Sequence, residues 1–180
     1  MKSIGKVYSN LSMEDPDNKD MMAFMTLHAK GNVLQIGSGN NPATCALLYG
    51  VETHGGLLWL LENEPSAAYI FEEHEQFVWI NSGADDHAAT ILCGVPLELN
   101  LLFIQPCRGM VDLKLLMRLY GDSVSTSGLI IVEGVRRDDS INQACEEYAK
   151  VRGMKYHVRA TTGGLGVIFF PEHKEVVNNV

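Results

Sequence analysis

Val33-Leu34-Gln35-Ile36-Gly37-Ser38-Gly39-Asn40-Asn41-Pro42-Ala43-Thr44 carries the strongest structural signal in this chain. Its first four residues are an apolar run that predicts a buried strand, and the two glycines predict a tight turn where a ligand can approach the backbone. Asn41 is a good helix N-cap and Pro42 a good first helical residue, so residues 43–49 are predicted as a helix. The stretch therefore predicts a strand, a glycine loop and a helix N-terminus facing that loop.

The presence or absence of a third glycine indicates which ligand such a loop binds. A dinucleotide-binding loop has the pattern G-x-G-x-x-G, and here Pro42 stands at the last position. The sequence also contains no G-x-x-x-x-G-K-[ST] phosphate loop, so nothing in it requires a phosphate ligand. A glycine turn in some other kind of α/β protein is the alternative that this stretch leaves open.

The same residues resemble motif I of the class I S-adenosylmethionine (SAM)-dependent methyltransferases, an apolar strand and an acidic residue followed by G-x-G-x. One position departs from the pattern, because Gln35 stands where that family usually has Glu or Asp. In the family this carboxylate helps to hold the methionine end of SAM, through water or its amine. The resemblance implies a site for SAM or S-adenosylhomocysteine (SAH) with contacts from Gln35, Gly37, Ser38, Gly39 and Asn41.

Length and composition indicate one globular domain. The chain has 180 residues, 46% of them hydrophobic and 20% charged, which is enough for a substantial core. We predict a single domain over residues 1–180, with an irregular segment at 1–19 and a polar tail at 172–180. The formal net charge of −8 argues against nucleic-acid binding and favours a small-molecule substrate.

The sequence shows no pattern typical of a membrane span, a secretory signal or a cysteine-based metal or redox site. No apolar run approaches the roughly 20 residues of a membrane span, and residues 1–6 lack the apolar core of a secretory signal, so we predict a cytoplasmic protein without membrane contact. The cysteines form no C-x-x-C pair of the kind expected at zinc or redox sites. Three of the four lie in apolar settings and are predicted as core thiols; the four are Cys45, Cys93, Cys107 and Cys145.

Hydrophobic periodicity predicts the remaining elements. Further strands are predicted at 57–62, 77–81, 99–106, 129–133, 154–161 and 165–170, and further helices at 20–30, 67–75, 86–95, 111–120 and 140–152. Met21, Met22 and Met25 in the first of these helices are predicted to pack in the core, with a pocket lining as the alternative.

An acid ends the second predicted strand, 25 residues beyond the glycine turn. A carboxylate at that place can accept hydrogen bonds from both hydroxyls of a ribose. In the resembled family this is the motif II acid, and the stretch Glu62-Asn63-Glu64-Pro65 is similar to its E-x-x-P version. The resemblance implies Glu62 and Asn63 as SAM contacts, whereas the alternative for Glu62 is a surface acid that opens a helix.

A turn at residues 82–85 follows the third predicted strand. In the family, a G-D-A-like motif at this turn contacts the adenine through a backbone N–H and an acid. Here the order is Gly83-Ala84-Asp85, with the acid displaced by one residue. The resemblance implies adenine contacts from Gly83, Ala84 and Asp85.

Polar residues end the fourth and fifth predicted strands. Gln105 lies at the carboxyl end of the fourth, where ligands gather in open parallel sheets, so we expect it to face the reaction centre. Both strand ends resemble those of small-molecule O-methyltransferases of the catechol O-methyltransferase type, in which two Asp and one Asn hold Mg²⁺. Gln105, Glu133 and Gly134 stand at those positions. Because Mg²⁺ takes several oxygen ligands, typically carboxylates, we predict no metal site.

The last two predicted strands complete the resemblance. Residues 163–167, Gly-Gly-Leu-Gly-Val, resemble the G-x-G-L-G-V ending of O-methyltransferase-like chains. The resemblance covers residues 20–171 and implies an α/β, Rossmann-like class I methyltransferase fold. That fold has a mostly parallel seven-stranded sheet with a C-terminal antiparallel hairpin and helices on both faces.

Methyl transfer requires particular groups in the site. The reaction is an in-line displacement from a sulfonium, so the protein aligns donor and acceptor and excludes water. An acceptor hydroxyl also needs a base or an electrophile, for which the rim offers His87, Glu133, Arg108 and Arg136 without a spacing that singles one out.

We predict a SAM-dependent methyltransferase that acts on a small molecule, by O-methylation and without a catalytic metal, with a homodimer as one possible assembly. Two alternatives stay open. One is an inactive methyltransferase-like protein that binds SAM, SAH or a partner, and the other is an NAD-binding Rossmann protein.

Overall fold

The computed structural model describes residues 3–39, 41–62, 71–105, 110–161 and 163–172. In chain order, the helices and strands are α1 (Ile4–Glu14), α2 (Pro16–His28), β1 (Gly31–Ile36), α3 (Pro42–His54), β2 (Gly56–Leu61), β3 (Phe77–Ile80), α4 (His87–Leu92), β4 (Leu99–Ile104), α5 (Met110–Tyr120), β5 (Val124–Glu133), α6 (Asp139–Arg152), β6 (Lys155–Arg159) and β7 (Leu165–Phe169). The strands form one seven-stranded sheet in the order β3-β2-β1-β4-β5-β7-β6.

The sheet is parallel over its first five strands and antiparallel at its end. β1 pairs in parallel with both β2 and β4, and β5 extends the sheet beyond β4. β7 runs antiparallel to β5, and β6 closes the sheet as a hairpin partner of β7. Strand order reverses between β1 and β4, so the carboxyl ends of the central strands meet where open α/β sheets bind ligands. The predicted fold class is confirmed.

Alternate residues of the central strands pack on opposite faces of the sheet, as the period of two requires. Leu101 and Phe103 belong to the core that faces α1, α2 and α3, whereas Leu102 and Ile104 belong to the core that faces α5 and α6. Burial on both faces explains why these strands are continuous apolar runs instead of alternating ones.

The N-terminal region differs from the sequence-based prediction. Residues 1–19 are predicted to be irregular, but the structure forms α1 and begins α2 at Pro16. Four apolar residues of α1 at helical spacing pack on the core: Ile4, Val7, Tyr8 and Leu11. The many polar residues between them mask this spacing, and the helix forms because α2 and α3 cover its apolar side.

The methionine-rich helix packs as predicted. Met21, Met22 and Met25 of α2 are buried in the core, which confirms the packing interpretation over the pocket-lining one. Element ends shift by a few residues: β5 begins at Val124 instead of residue 129. Residues 67–70 of the helix predicted for 67–75 lie outside the described residues, and residues 71–75 contain turns but no helix.

Two of the four cysteines lie in the core. Cys45 and Cys145 are buried, and burial raises the pKa of each thiol to about 12. Cys93 is exposed, and Cys107 lies outside the described residues. None of the described helices is both long enough and apolar enough to cross a bilayer.

Candidate functional site at the carboxyl ends of the central strands

The glycine loop after β1 is closed by a tight approach to β4. Gly37 has a φ of 120°, a conformation that residues with a side chain rarely adopt. A Cβ on Gly37 would lie 2.8 Å from the Cβ of Gln105 and 3.1 Å from its carbonyl oxygen. The Gln105 N–H donates to the Ile36 carbonyl at 2.9 Å, so the two strand ends stay in register up to the loop. Only glycine fits this position without displacing β4.

Gln35 supports the glycine loop from below. Its side chain is fully buried, and its Nε2 donates to the Ser38 carbonyl at 3.0 Å and to the Thr44 hydroxyl at 2.8 Å. Its Oε1 is buried and has no hydrogen-bond donor among the described residues. Gln35 thus ties the loop to α3 and presents an acceptor that a bound donor or a water would satisfy.

Asn41 is the predicted N-cap of α3 and also reaches across to β4. Its Oδ1 accepts the N–H of Thr44 at 2.9 Å, which confirms the cap. Its Nδ2 donates to the Ser38 carbonyl and, at 2.9 Å, to the Oε1 of Gln105. Asn41 therefore links the loop, the helix and β4, and its cap uses one of the free N–H groups of α3.

Glu62 follows β2 and lies against the glycine loop. Its Oε2 accepts the N–H of Gly39 at 2.8 Å, and the residue is only 9% exposed. The structure thus brings the predicted motif II acid and the predicted motif I loop into direct contact. The loop-holding role of Glu62 adds to the ribose contact that the sequence predicts, while Asn63 lies outside the described residues.

The turn at residues 82–86 is organised mainly by its own backbone and by α5. The Ala84 carbonyl accepts the hydroxyl of Tyr120 at 3.2 Å, and Gly83 and Ala84 are half-buried while Asp85 is exposed. Asp86 caps α4, and the hydroxyl of Ser82 and the N–H of Ala89 hold its pKa below the usual value. These positions stay predicted adenine contacts.

His87 packs with Tyr120 and makes no described contact with Glu133 or Gln105. The rings of His87 and Tyr120 meet edge to face with centroids 5.3 Å apart. Burial raises the pKa of Tyr120 to about 12. The contacts of His87 are therefore those of a packing residue, and Arg108, the other predicted catalytic cation, lies outside the described residues.

Gln105 and Glu133 form a pair at the ends of β4 and β5. The Nε2 of Gln105 donates to the Oε2 of Glu133 at 2.6 Å, while its Oε1 accepts from Asn41. Gly134 follows in a left-handed turn with a φ of 87° and offers no side-chain ligand. An amide and a carboxylate that bind each other fit a divalent cation poorly, because the amide N–H occupies a carboxylate oxygen. The described residues contain no cluster of three or more His, Cys, Asp or Glu side chains suited to a metal.

Two cavities open beside Glu133. One of about 360 Å³ is lined by Gln105, Glu133, Gly134, Arg137, Asp138 and Ile141. The other, of about 150 Å³, includes Glu133, Arg137 and residues of α2 and the β6–β7 hairpin in its wall. Among the predicted catalytic residues that the structure describes, Glu133 lies on the cavity that Gln105 also lines.

Sequence reasoning missed two residues of this site. Thr44 joins the side chains of Gln35 and Asn41, and its position three residues after the N-cap is a signal that capping rules contain. Arg137 lines both cavities, but only its place in the turn after β5 hints at this.

Comparisons with known proteins agree with the observed fold. No protein-family model matches the chain, and no curated protein matches it. Among solved structures, a candidate caffeoyl-CoA O-methyltransferase from Staphylococcus aureus is 14% identical, with a TM-score of 0.65 over 93% of this chain and 92% of that one. An SAH-bound methyltransferase from Podospora anserina is 13% identical, with a TM-score of 0.63 over 96% and 89%.

A third similar structure is the O-methyltransferase from Bacillus cereus in complex with SAH. It is 15% identical, with a TM-score of 0.63 over 92% of this chain and 88% of that one. These identities are low, so the likeness concerns the fold, over nearly the whole length of each chain. The chain has the Rossmann-like fold of the class I SAM-dependent methyltransferases.

Proposed function

We propose that this protein binds SAM and transfers its methyl group to a hydroxyl of a small molecule without a catalytic metal. The observation that carries the proposal is the 2.8 Å hydrogen bond between the Gly39 N–H and the Glu62 carboxylate. This bond joins the glycine loop to the acid. A ligand can approach the backbone of such a loop closely, and an acid at this place can hold a ribose. A carboxylate can accept further hydrogen bonds beyond this one, so the loop contact does not prevent a ribose contact.

The residues around the loop fit SAM from end to end. The methionine part would lie over Gly37, Ser38 and Gly39, with the buried Oε1 of Gln35 as an acceptor for its amine through water. Glu62 would take the ribose hydroxyls, and the turn with Gly83, Ala84 and Asp85 would take the adenine. These roles follow from the family resemblance, and the geometry of the loop, Gln35 and Glu62 supports them.

The N-terminus of α3 favours SAM over NAD. A dinucleotide places its pyrophosphate on free helix N–H groups. Here the Asn41 side chain accepts the N–H of Thr44, and Pro42 has no N–H to offer. Two of the first positions of this helix therefore have no N–H group free to donate to a pyrophosphate, and the helix end is a poor pyrophosphate site.

Glu133 is the group best placed to take a proton from the acceptor. Bound SAM supplies an electrophilic methyl on a sulfonium. The Glu133 carboxylate would accept the proton that the acceptor hydroxyl loses as its oxygen takes the methyl group, and SAH would be the second product. Gln105 donates to one oxygen of Glu133 and thereby fixes the orientation of the other. General bases of this kind contribute about 10²–10⁴-fold in rate.

The net charge of the protein favours a small molecule over a nucleic acid as the methyl acceptor. The formal net charge of −8 opposes a phosphate backbone, which binds through clustered Lys and Arg. A homodimer is also compatible with this function and stays a prediction.

Calorimetric titration with SAM, SAH and NAD tests the cofactor. We expect both SAM species to bind and NAD to give no response; binding of NAD alone would refute the proposal. Incubation with SAM and a panel of phenols, carboxylates, amines and peptides, followed by mass spectrometry, then tests activity. Ligand binding without any methylated product would favour the inactive, SAH-binding alternative.

A further inference from the structure

Glu133 and Arg137 line the same two cavities but do not pair with each other. Both residues are described, and no ion pair within 4.0 Å joins them. Opposite charges that share a cavity wall without meeting leave room between them for a ligand that satisfies both.

Each of the two side chains has its own support. Glu133 is held by the amide of Gln105 at 2.6 Å. The guanidinium of Arg137 lies on Gly163, where an added Cβ would come within 3.2–3.3 Å of its Cζ, Nε and Nη2 atoms. Glycine at 163 therefore provides the space that the guanidinium occupies.

The backbone fixes the turn that carries Arg137. The N–H of Gly134 donates to the Gly164 carbonyl at 2.9 Å, and the N–H of Arg136 donates to the Gly163 carbonyl at 3.1 Å. The N–H of Arg137 closes the turn on the Gly134 carbonyl at 2.9 Å. The turn is thus bound to the β6–β7 hairpin on one side and to itself on the other.

Asp138, which follows Arg137 in the chain, does not pair with it. Asp138 accepts the N–H of Ser140 at 2.8 Å and its hydroxyl at 2.6 Å, and these bonds hold the pKa of Asp138 below its usual value. It is therefore ionised but engaged as the cap of α6. Among the described residues, no hydrogen bond or ion pair uses the guanidinium of Arg137.

We propose that the methyl acceptor is a small hydroxycarboxylic acid whose carboxylate binds Arg137 and whose hydroxyl faces Glu133. The inference rests on the proposed methyltransferase function and narrows its substrate class. The guanidinium fork matches the two oxygens of a carboxylate, and a cavity of about 360 Å³ is within the size range of small-ligand sites. A dianionic phosphate ester fits less well, because Glu133, Asp138 and Asp15 add negative charge around Arg137, the one cationic side chain in the described lining of these cavities.

The test compares the ortho, meta and para hydroxybenzoates with their methyl esters, which keep the hydroxyl and lose the charge. Binding is measured by ligand-observed NMR and calorimetry, both with and without saturating SAH. We expect at least one acid to bind about tenfold or more tightly than its ester, the range for a charge-assisted hydrogen bond. Equal binding of every acid and its ester would overturn the inference.

Variants of Arg137 assign the preference to this side chain. Arg137→Gln should abolish the difference between acid and ester, and Arg137→Lys, which keeps the charge and loses the fork, should restore part of it. The matched control is Arg118→Gln, which removes an exposed arginine from α5 and should leave the preference intact. An acid preference that survives Arg137→Gln, or that disappears equally in Arg118→Gln, would refute the assignment.

This design distinguishes a failure of the proposed methyltransferase function from a failure of the proposed substrate class. If SAH does not bind, the methyltransferase function is lost, whereas the acid preference is still measured on the protein alone. If SAH binds and no acid preference exists, the function stands and the substrate class is wrong. Retained circular dichroism in each variant excludes misfolding as the cause of a lost preference.

Discussion

The two halves of the site are built in different ways. In the glycine-loop half, made of Gln35, Gly37, Gly39 and Glu62, a backbone N–H meets a carboxylate and a side-chain amide meets a backbone carbonyl. In the Glu133 half, made of Gln105, Glu133, Gly134 and Arg137, the central contact joins two side chains. The first half therefore depends on the conformation of the loop as well as on its side chains, whereas the central contact of the second half depends on side-chain identity alone.

From this difference we expect the first half to set cofactor affinity and the second half to set the rate of the reaction. Glu62 is nearly buried and holds the loop on which a cofactor would rest, so its loss should reduce affinity. Glu133 is half-buried on a cavity wall, so its loss should reduce rate and leave cofactor affinity intact. If the two halves are separable in this way, variants of Glu62 and Glu133 change cofactor affinity and turnover independently of each other.

The largest effect is expected from Glu133→Gln. The variant keeps the shape of the side chain and an oxygen that can accept from Gln105, but it removes the base. We expect turnover to fall about 10²–10⁴-fold, with SAH affinity unchanged. The measurement is SAH release with an acceptor identified by mass spectrometry, next to Glu98→Gln as an exposed control. Full activity in Glu133→Gln would show that the proton leaves by another route.

Gly37→Ala should cause the next largest effect. The added Cβ meets the Gln105 Cβ at 2.8 Å in a backbone conformation that already disfavours a side chain, so we expect a loss of about 2–4 kcal/mol in the free energy of unfolding. Gly94→Ala is the matched control, since Gly94 also has a positive φ, 78°, but nothing lies within 4 Å of its added Cβ. Urea denaturation measures both, and equal losses would mean that the contact with β4 is unimportant.

Glu62→Ala should weaken SAH binding by about 1–3 kcal/mol, the range for hydrogen bonds to charged groups. Glu62→Gln should lose less, because its oxygen can still accept the Gly39 N–H. Calorimetry gives both affinities, with exposed Glu75→Ala as the control. Unchanged affinity in a folded Glu62→Ala variant would show that the ribose is held elsewhere.

Chelation should have the smallest effect. With Gln105 bonded to Glu133 and a glycine at 134, neither turnover nor SAH affinity should change in EDTA. Both quantities are compared before chelation, after it, and after Mg²⁺ or Mn²⁺ is added back. A loss on chelation that the metal reverses would show that the residues at these strand ends hold a cation after all.

The sequence predicted the elements that depend on neighbours along the chain. The strand at 33–36, the glycine turn and the Asn41 cap all involve residues within a few positions of one another, as the hydrogen bond from the Thr44 N–H to Asn41 illustrates. The acid at 62 was predicted from its place at the end of an apolar run, together with the general rule that the carboxyl ends of parallel strands share one edge of a sheet. Its direct contact with Gly39 was not predicted, because the loop conformation decides it.

The helix α1 was missed for the opposite reason. Its apolar residues are few and separated by polar ones, so the isolated segment looks irregular, and it becomes helical because α2 and α3 offer it a surface. The ring contact between His87 and Tyr120 was likewise not predicted, because it joins residues that are far apart in the chain.

The sequence by itself determined the seven strands, the glycine turn and the acid that follows β2, because local backbone preferences and hydrophobic periodicity are written in adjacent residues. The tertiary structure alone decided that Gln105 binds Glu133, 28 residues away, and that Arg137 lies on Gly163 beside the same cavities. Such pairs depend on which strand ends and turns become neighbours in space and on side-chain distances of a few ångströms, which no local pattern in the chain specifies.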